Sequence, residues 1–162
     1  MEQISYRFLN LSDPITPGMT ERFNLLVHQL STNAESVKAS YIRGIAVAHH
    51  LLFAEMIKSR LEIVGMGMLV EIKGVTGAFG HIEDVVVLDS YRSRGIGKGI
   101  VVSLIEKAAG LGFKHLDLTS KPARVPANEL YKSLGFVIRE TNPYRLSYEQ
   151  MKEIASGRGA GN

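Results

Sequence analysis

The sequence predicts an α/β (α+β) fold: a mixed, mostly antiparallel sheet of about six to seven strands with helices on both faces. Three observations carry that prediction. The apolar run Val85-Val86-Val87-Leu88 passes through a short basic, Gly-rich turn. It then opens into a segment where Ile96, Ile100, Leu104, Ala108 and Leu111 recur at three- and four-residue steps. This is a buried strand followed by one face of a helix. Ahead of it, His49–Ile57, Leu61–Ile72 and the segment from Ala78 onward read as three strands joined by short turns, an antiparallel meander. Behind it, Lys114–Thr119 is a further strand, adjacent in sequence to the helix and so expected to run parallel to the central strand through a right-handed crossover.

The remaining elements follow in order. Ile4, Tyr6 and Phe8 alternate with polar residues and predict a first strand, broken by Pro14, Pro17 and Gly18. A helix begins at Thr20, with Phe23, Leu26, Val27 and Leu30 as its apolar stripe. A second helix is expected near Asn33, whose side chain would cap it. Ile42–Ala48 either continues it past Gly44 or forms a loop. Lys58-Ser59-Arg60 and Lys73–Gly77 are the turns of the meander. A short helix over Ala127–Leu134 is stopped by Gly135. Phe136–Glu140 and Tyr144–Tyr148 are expected to close the fold as a hairpin. The reading is one domain over residues 1–156 with a disordered tail at 157–162.

The turn between central strand and helix carries the chemistry. The first turn of a helix presents unpaired N–H groups and the positive end of the dipole. Gly95 and Gly97 let a ligand approach that backbone closely, and Arg92, Arg94 and Lys98 add charge. A phosphate-bearing ligand fits this description. A P-loop does not: Gly99 follows Gly97-Lys98 where Ser or Thr is needed, and Arg92 replaces the first glycine. A dinucleotide fingerprint fits in part, with Ile100 at the third glycine and Asp117 inside the next apolar run rather than at its end.

Composition narrows the classes. At 162 residues, 45% hydrophobic and 22% charged, the chain matches a soluble globular domain of ordinary size. The absence of cysteine excludes disulfides, zinc–thiolate sites and a cysteinyl acyl-enzyme. No segment approaches the roughly 18 apolar residues of a membrane span, and Met1-Glu2-Gln3 does not read as a signal peptide. A cytoplasmic location without membrane association is expected. The net charge of +3 is partly clustered at 92–98, with no basic stripe interleaved with aromatics, so nucleic acid is not expected as a partner. His49 and His50 face opposite ways on a strand and make a poor chelating pair. No metal is expected.

The pattern Arg-x-x-Gly-x-Gly at Arg92–Gly97 resembles the pyrophosphate-binding signature of the GNAT N-acetyltransferase superfamily, and the order of elements resembles that family over nearly the whole chain. Asn128–Phe136 is similar to its Asn-x-x-x-LeuTyr-x-x-x-GlyPhe region, with the Asn closer to the Tyr. Gly80-His81-Ile82-Glu83-Asp84-Val85-Val86-Val87 resembles a strand of glucosamine-6-phosphate N-acetyltransferases, whereas the loop Thr119–Arg124 is longer than its equivalent there.

The resemblance implies a splayed parallel central pair of strands and acetyl-coenzyme A as co-substrate. Arg92, Ser93, Arg94, Gly95, Ile96, Gly97 and Lys98 would hold its pyrophosphate. The backbone of Val85, Val86 and Val87 would pair with its pantetheine arm, and Asn128 would touch the cofactor or cap its helix. Tyr131 would sit at the cofactor beside the departing sulfur. Glu83 would act as general base, with Asp117 as a weaker alternative, and Asp84 and Ser120 would bind substrate. In a regular strand Glu83 and Asp84 point to opposite faces, which separates their roles.

The implied activity is acetyl transfer to a primary amine by direct attack in a ternary complex. A small-molecule amine is favoured over a protein, and a homodimer is admissible. The competing readings are a non-catalytic acyl-coenzyme A sensor on the same fold and a dinucleotide-binding oxidoreductase. A sensor needs neither Tyr131 nor Glu83.

Overall fold

A single five-stranded sheet, ordered β1-β2-β3-β4-β5, is the frame of the computed structural model, which describes residues 3–57 and 61–157. The strands are β1 (Gln3–Phe8), β2 (His50–Ile57), β3 (Leu61–Gly74), β4 (Gly77–Val87) and β5 (Leu116–Leu118). The first four pair antiparallel with their neighbours, and β4 pairs parallel with β5. The mixed, mostly antiparallel sheet is as expected. Five strands form among the described residues rather than six to seven. The expected turn at 58–60 and all but Gly157 of the expected tail lie outside the described residues.

The chain divides into two compact units, Met1–Arg124 and Val125–Asn162. In the first, α1 (Pro17–Leu30) and α2 (Ala39–Ala48) cover one face of the sheet. Phe23, Leu26 and Ile42 from these helices form a core with Leu51, Phe53, Ile63, Met66 and Val86 from the strands. α3 (Ile96–Gly110) covers the other face. It lies directly on β3 because Gly67 carries no side chain. A Cβ there would fall 2.6 Å from Ile100 Cγ2 and 3.1 Å from Leu104 Cδ1.

Helix starts differ from the sequence reading for local reasons. α1 begins at Pro17, three residues before the expected Thr20. Thr16 Oγ1 accepts from Met19 N at 3.2 Å, and proline suits a first helical position. α2 begins at Ala39, not near Asn33, and runs through Gly44. The side chain of Asn24 explains the late start. Its Nδ2 donates to Val37 O at 3.0 Å and its Oδ1 accepts from Val37 N at 2.8 Å, so the backbone at residue 37 is committed to α1 before a helix can begin.

The second unit contains α4 (Val125–Ser133) and α5 (Tyr148–Ala155). Gly135, at φ 92°, ends α4, and Phe136 N donates to Tyr131 O. The expected closing hairpin does not form: residues 136–147 carry no strand, and Tyr148 opens a helix. Two short runs separated by Asn142-Pro143 make at best an isolated hairpin, which is marginal in water. The missed signal is Ser147-x-x-Gln150. Ser147 N donates to Gln150 Oε1 and Gln150 N to Ser147 Oγ, a reciprocal cap that starts α5.

Candidate active site

The site begins where β4 outlasts β5. Their ladder runs only over Gly80–Ile82 against Leu116–Leu118. Beyond Ile82, β4 keeps β3 on one side and is open on the other. Leu88 N donates to Val64 O, so the backbone groups of Val86, two residues back, also face β3, opposite Met66. Those of Val85 and Val87 face the open side. The expectation of three free residues is therefore corrected: Val86 is committed to the sheet, and the available groups belong to Val85 and Val87. Two side chains reach the same edge. Gln29 of α1 donates Nε2 to Val87 O at 2.5 Å and accepts from Asp89 N at 2.9 Å, while Arg124 Nη2 lies 3.5 Å from Val85 O. Gln29 lies off the apolar stripe of α1, and nothing in the sequence signals its role.

A β-bulge lies at the head of this edge. Met66 pairs with Val86 and Met68 with Glu83, so β4 spends one more residue than β3 across the step. Asp84 absorbs it at φ 53°. The regular alternation assumed from sequence therefore fails here. Val86 belongs to the core beneath α1 and α2. Val85 and Val87 reach the opposite face, where their Cγ2 atoms lie 3.5 and 3.4 Å from the absent Cβ positions of Gly67 and Gly65. Glu83, opposite Met68, lies on the α1–α2 face. Without the bulge, Glu83, Val85 and Val87 would share one face. Partial desolvation pushes the Asp84 carboxyl above its ordinary range, although the residue as a whole is exposed.

Glu83 has a close neighbour. Its Oε1 lies 3.1 Å from His81 Nδ1, a buried nitrogen to which no hydrogen bond is aligned. The two are spaced i, i+2 on one strand, a signal readable in the sequence. Asp117 is in register with His81 on β5, and its Oδ2 lies 3.7 Å from His115 Nε2. Ser120, past the end of β5, has a buried Oγ without a hydrogen bond.

The basic turn follows a short 3₁₀ turn, Asp89–Tyr91. Ser93 (φ 61°) and Gly95 (φ 75°) are both left-handed, and Gly95 caps α3. The first intrahelical bond is Gly99 N to Gly95 O, so the N–H groups of Ile96, Gly97 and Lys98 precede the helical ladder. A Cβ on Gly97 would meet only Val87 Cγ2, at 3.8 Å. The helix mouth and the open end of β4 therefore adjoin. Arg92 pairs with Asp89 at 2.9 Å, and the guanidinium of Arg94 lies over the Tyr91 ring at 5.5 Å.

The first unit thus sets the turn at 92–98 beside Val87, while Glu83 and Asp84 lie further back on β4, with Glu83 on the opposite face from Val85 and Val87. Asn128 and Tyr131 belong to the second unit, on α4. There the Tyr131 ring meets Phe136 edge-on, centroids 6.0 Å apart. Among the described residues no group of three or more acidic or histidine side chains is placed to hold a metal ion, and no helix is long and apolar enough to cross a membrane.

Known proteins resemble this chain in sequence and fold. The model of the acetyltransferase (GNAT) family matches residues 24–136. The thialysine N-epsilon-acetyltransferase of Mus musculus is 31% identical over 143 residues, covering 82% of this chain and 84% of that protein. Glucosamine 6-phosphate N-acetyltransferase 1 of Oryza sativa subsp. japonica is 32% identical over 141 residues, 84% of this chain and 82% of that one. The crystal structure of an acetyltransferase from Trypanosoma brucei superposes with a TM-score of 0.70 at 28% identity, over 90% of this chain and 99% of the other. A sheet in which only β4 and β5 run parallel is also not the mostly parallel sheet on which a dinucleotide fingerprint operates. The parting strands and the basic turn both fall inside the matched span, and this chain belongs to the GNAT family and is an N-acetyltransferase.

Proposed function

We infer that the chain moves an acetyl group from acetyl-coenzyme A to a primary amine by direct attack in a ternary complex. The observation that carries this reading is the parting of β4 from β5 immediately ahead of the α3 mouth. Strand backbone without a β-strand partner on that side then leads into the helix N–H groups in one continuous run. The pyrophosphate fits the turn: two left-handed residues, three N–H groups ahead of the helical ladder, and open space at Gly95 and Gly97. The pantetheine arm fits the open edge at Val85 and Val87, where an N–H would polarise the thioester carbonyl.

The amine must first become neutral. An alkylammonium of pKa ~10.4 needs about 4.6 kcal/mol for this at pH 7, and a positioned carboxylate contributes roughly 10²–10⁴ in rate. Glu83 serves as that base, Asp84, presented by the bulge, holds the amine from a second side, and Ser120 is assigned as a further substrate contact. The amine nitrogen attacks the carbonyl carbon, the C–N bond forms, and the C–S bond breaks with its electron pair on sulfur. Tyr131 is assigned to hydrogen-bond that sulfur on its motif, Asn128–Phe136. The acceptor is a small molecule, a reading supported by the small-molecule amines in the names of the two relatives.

A panel of amines assayed for release of free thiol from acetyl-coenzyme A tests the reading. Turnover with at least one small amine, lost on the order of 10²-fold in Glu83→Gln with donor affinity retained, is the expected result. Donor binding without turnover on any amine would make the site a sensor.

A further inference from the structure

We propose that His81 is the positioning residue behind Glu83: its imidazole takes over the proton that Glu83 removes from the amine, so the base of this site is a carboxylate–imidazole pair. The inference rests on the assignment of Glu83 as base. Both side chains come from β4 ahead of the bulge, so their i, i+2 spacing puts them on one face. His81 Nδ1 lies 3.1 Å from Glu83 Oε1, and the side chains are 20% and 45% exposed, respectively. The carboxylate therefore reaches solvent, and the imidazole stands behind it. A relay needs that order, with the outer group meeting substrate and the inner group holding the proton. Nδ1 is buried without an aligned hydrogen bond, so its lone pair is not spent elsewhere in the fold.

One acidic and one apolar residue flank His81 on the neighbouring strands. Asp117 is in register with His81 on β5, and the β3 partner is the apolar Val70. The helix packed on this face, α1, directs its own cation elsewhere: Arg22 goes to Glu62 and to the Ile63 carbonyl. His28 is taken by Ser36, and Glu21 is exposed.

The chemistry balances. An ammonium N–H bond breaks and its proton passes to a Glu83 oxygen, directly or through one water. It then moves to His81 Nδ1, restoring the carboxylate beside an imidazolium. The freed amine forms the new C–N bond as the C–S bond breaks. The second amine proton goes to the leaving sulfur, and the imidazolium proton is released to solvent before the next turnover. An ordinary carboxyl group titrates near ~4.3 and an imidazole near ~6.5, so passing the proton inward brings the base closer to the working pH.

The test is the pH dependence of kcat/KM in wild type, His81→Asn, His81→Gln and Glu83→Gln, with melting temperature as a check on folding. In His81→Asn, kcat at pH 7 falls on the order of 10- to 100-fold, part of the range of a general base, while donor affinity holds. Its acid limb moves down by about two pH units, the ordinary spacing of imidazole and carboxyl groups. A lower rate with the acid limb in place overturns the proposal and leaves His81 a packing residue. If Glu83→Gln keeps wild-type kcat/KM at every pH, the base assignment fails by itself, whatever His81 does. Should neither His81 variant fold, imidazole titration by NMR in wild type and Glu83→Gln decides. Loss of the carboxylate lowers the midpoint of the His81 resonance, and an unchanged midpoint refutes the pair.

Discussion

Gly97 and Gly99 lie two residues apart at the mouth of α3, and the structure assigns them opposite sensitivities. A Cβ on Gly97 would meet only Val87 Cγ2, at an ordinary 3.8 Å, and faces the space claimed for the pyrophosphate. A Cβ on Gly99 would collide with Cζ and the hydroxyl oxygen of Tyr6. Gly97→Val therefore leaves the fold within about 1 kcal/mol of wild type, the scale of helix propensity differences. It blocks backbone approach to the donor. Losing two hydrogen bonds to a charged group, at about 1.5–3 kcal/mol each, raises the Kd of acetyl-coenzyme A on the order of 10²- to 10⁴-fold. Gly99→Ala does the reverse. Overpacking costs about 1–3 kcal/mol, or roughly 2 to 12 °C of Tm in a chain of this size, and donor affinity of the folded fraction is kept. Calorimetric titration and thermal melting measure both. Unchanged donor affinity in folded Gly97→Val would remove the pyrophosphate from this turn. An unshifted Tm in Gly99→Ala would show that Tyr6 yields at no cost.

Two further outcomes follow from single residues. Tyr131→Phe keeps the ring that meets Phe136 and removes one hydroxyl. Its kcat falls on the order of 10- to 1,000-fold with donor affinity unchanged, and a normal kcat makes Tyr131 a core residue. Burial raises the Asp84 carboxyl, so the folded chain holds that proton at a pH where the unfolded chain has released it, and stability falls as pH rises through that window. Asp84→Asn thus raises Tm at pH 7, with the gain gone below about pH 4, where both states of the wild type are protonated. The same change raises KM for the amine, and equal Tm differences at both pH values would refute desolvation as the cause.

Sequence alone determined the strand–turn–helix at Val85–Ile100, the meander before it and the parallel return after it. Each is written in local periodicity and turn chemistry, which act within a few residues. The helix mouth was legible for the same reason: glycines and charges at a strand-to-helix turn mean the same thing in any surroundings. Tertiary structure decided what depends on partners far along the chain. Val85 and Val87 were separated from Val86 by the bond from Leu88 to Val64, which no property of three valines encodes. The face of Glu83 relative to the valines was set by a one-residue mismatch between β3 and β4, absorbed at Asp84. Asn24, thirteen residues from the Val37 backbone it binds, set where α2 starts, and Gln29 reached β4 from a helix nearly sixty residues upstream. A period-2 pattern counts residues, but a bulge adds one without changing composition, so only the pairing of two distant strands reveals which face a side chain takes.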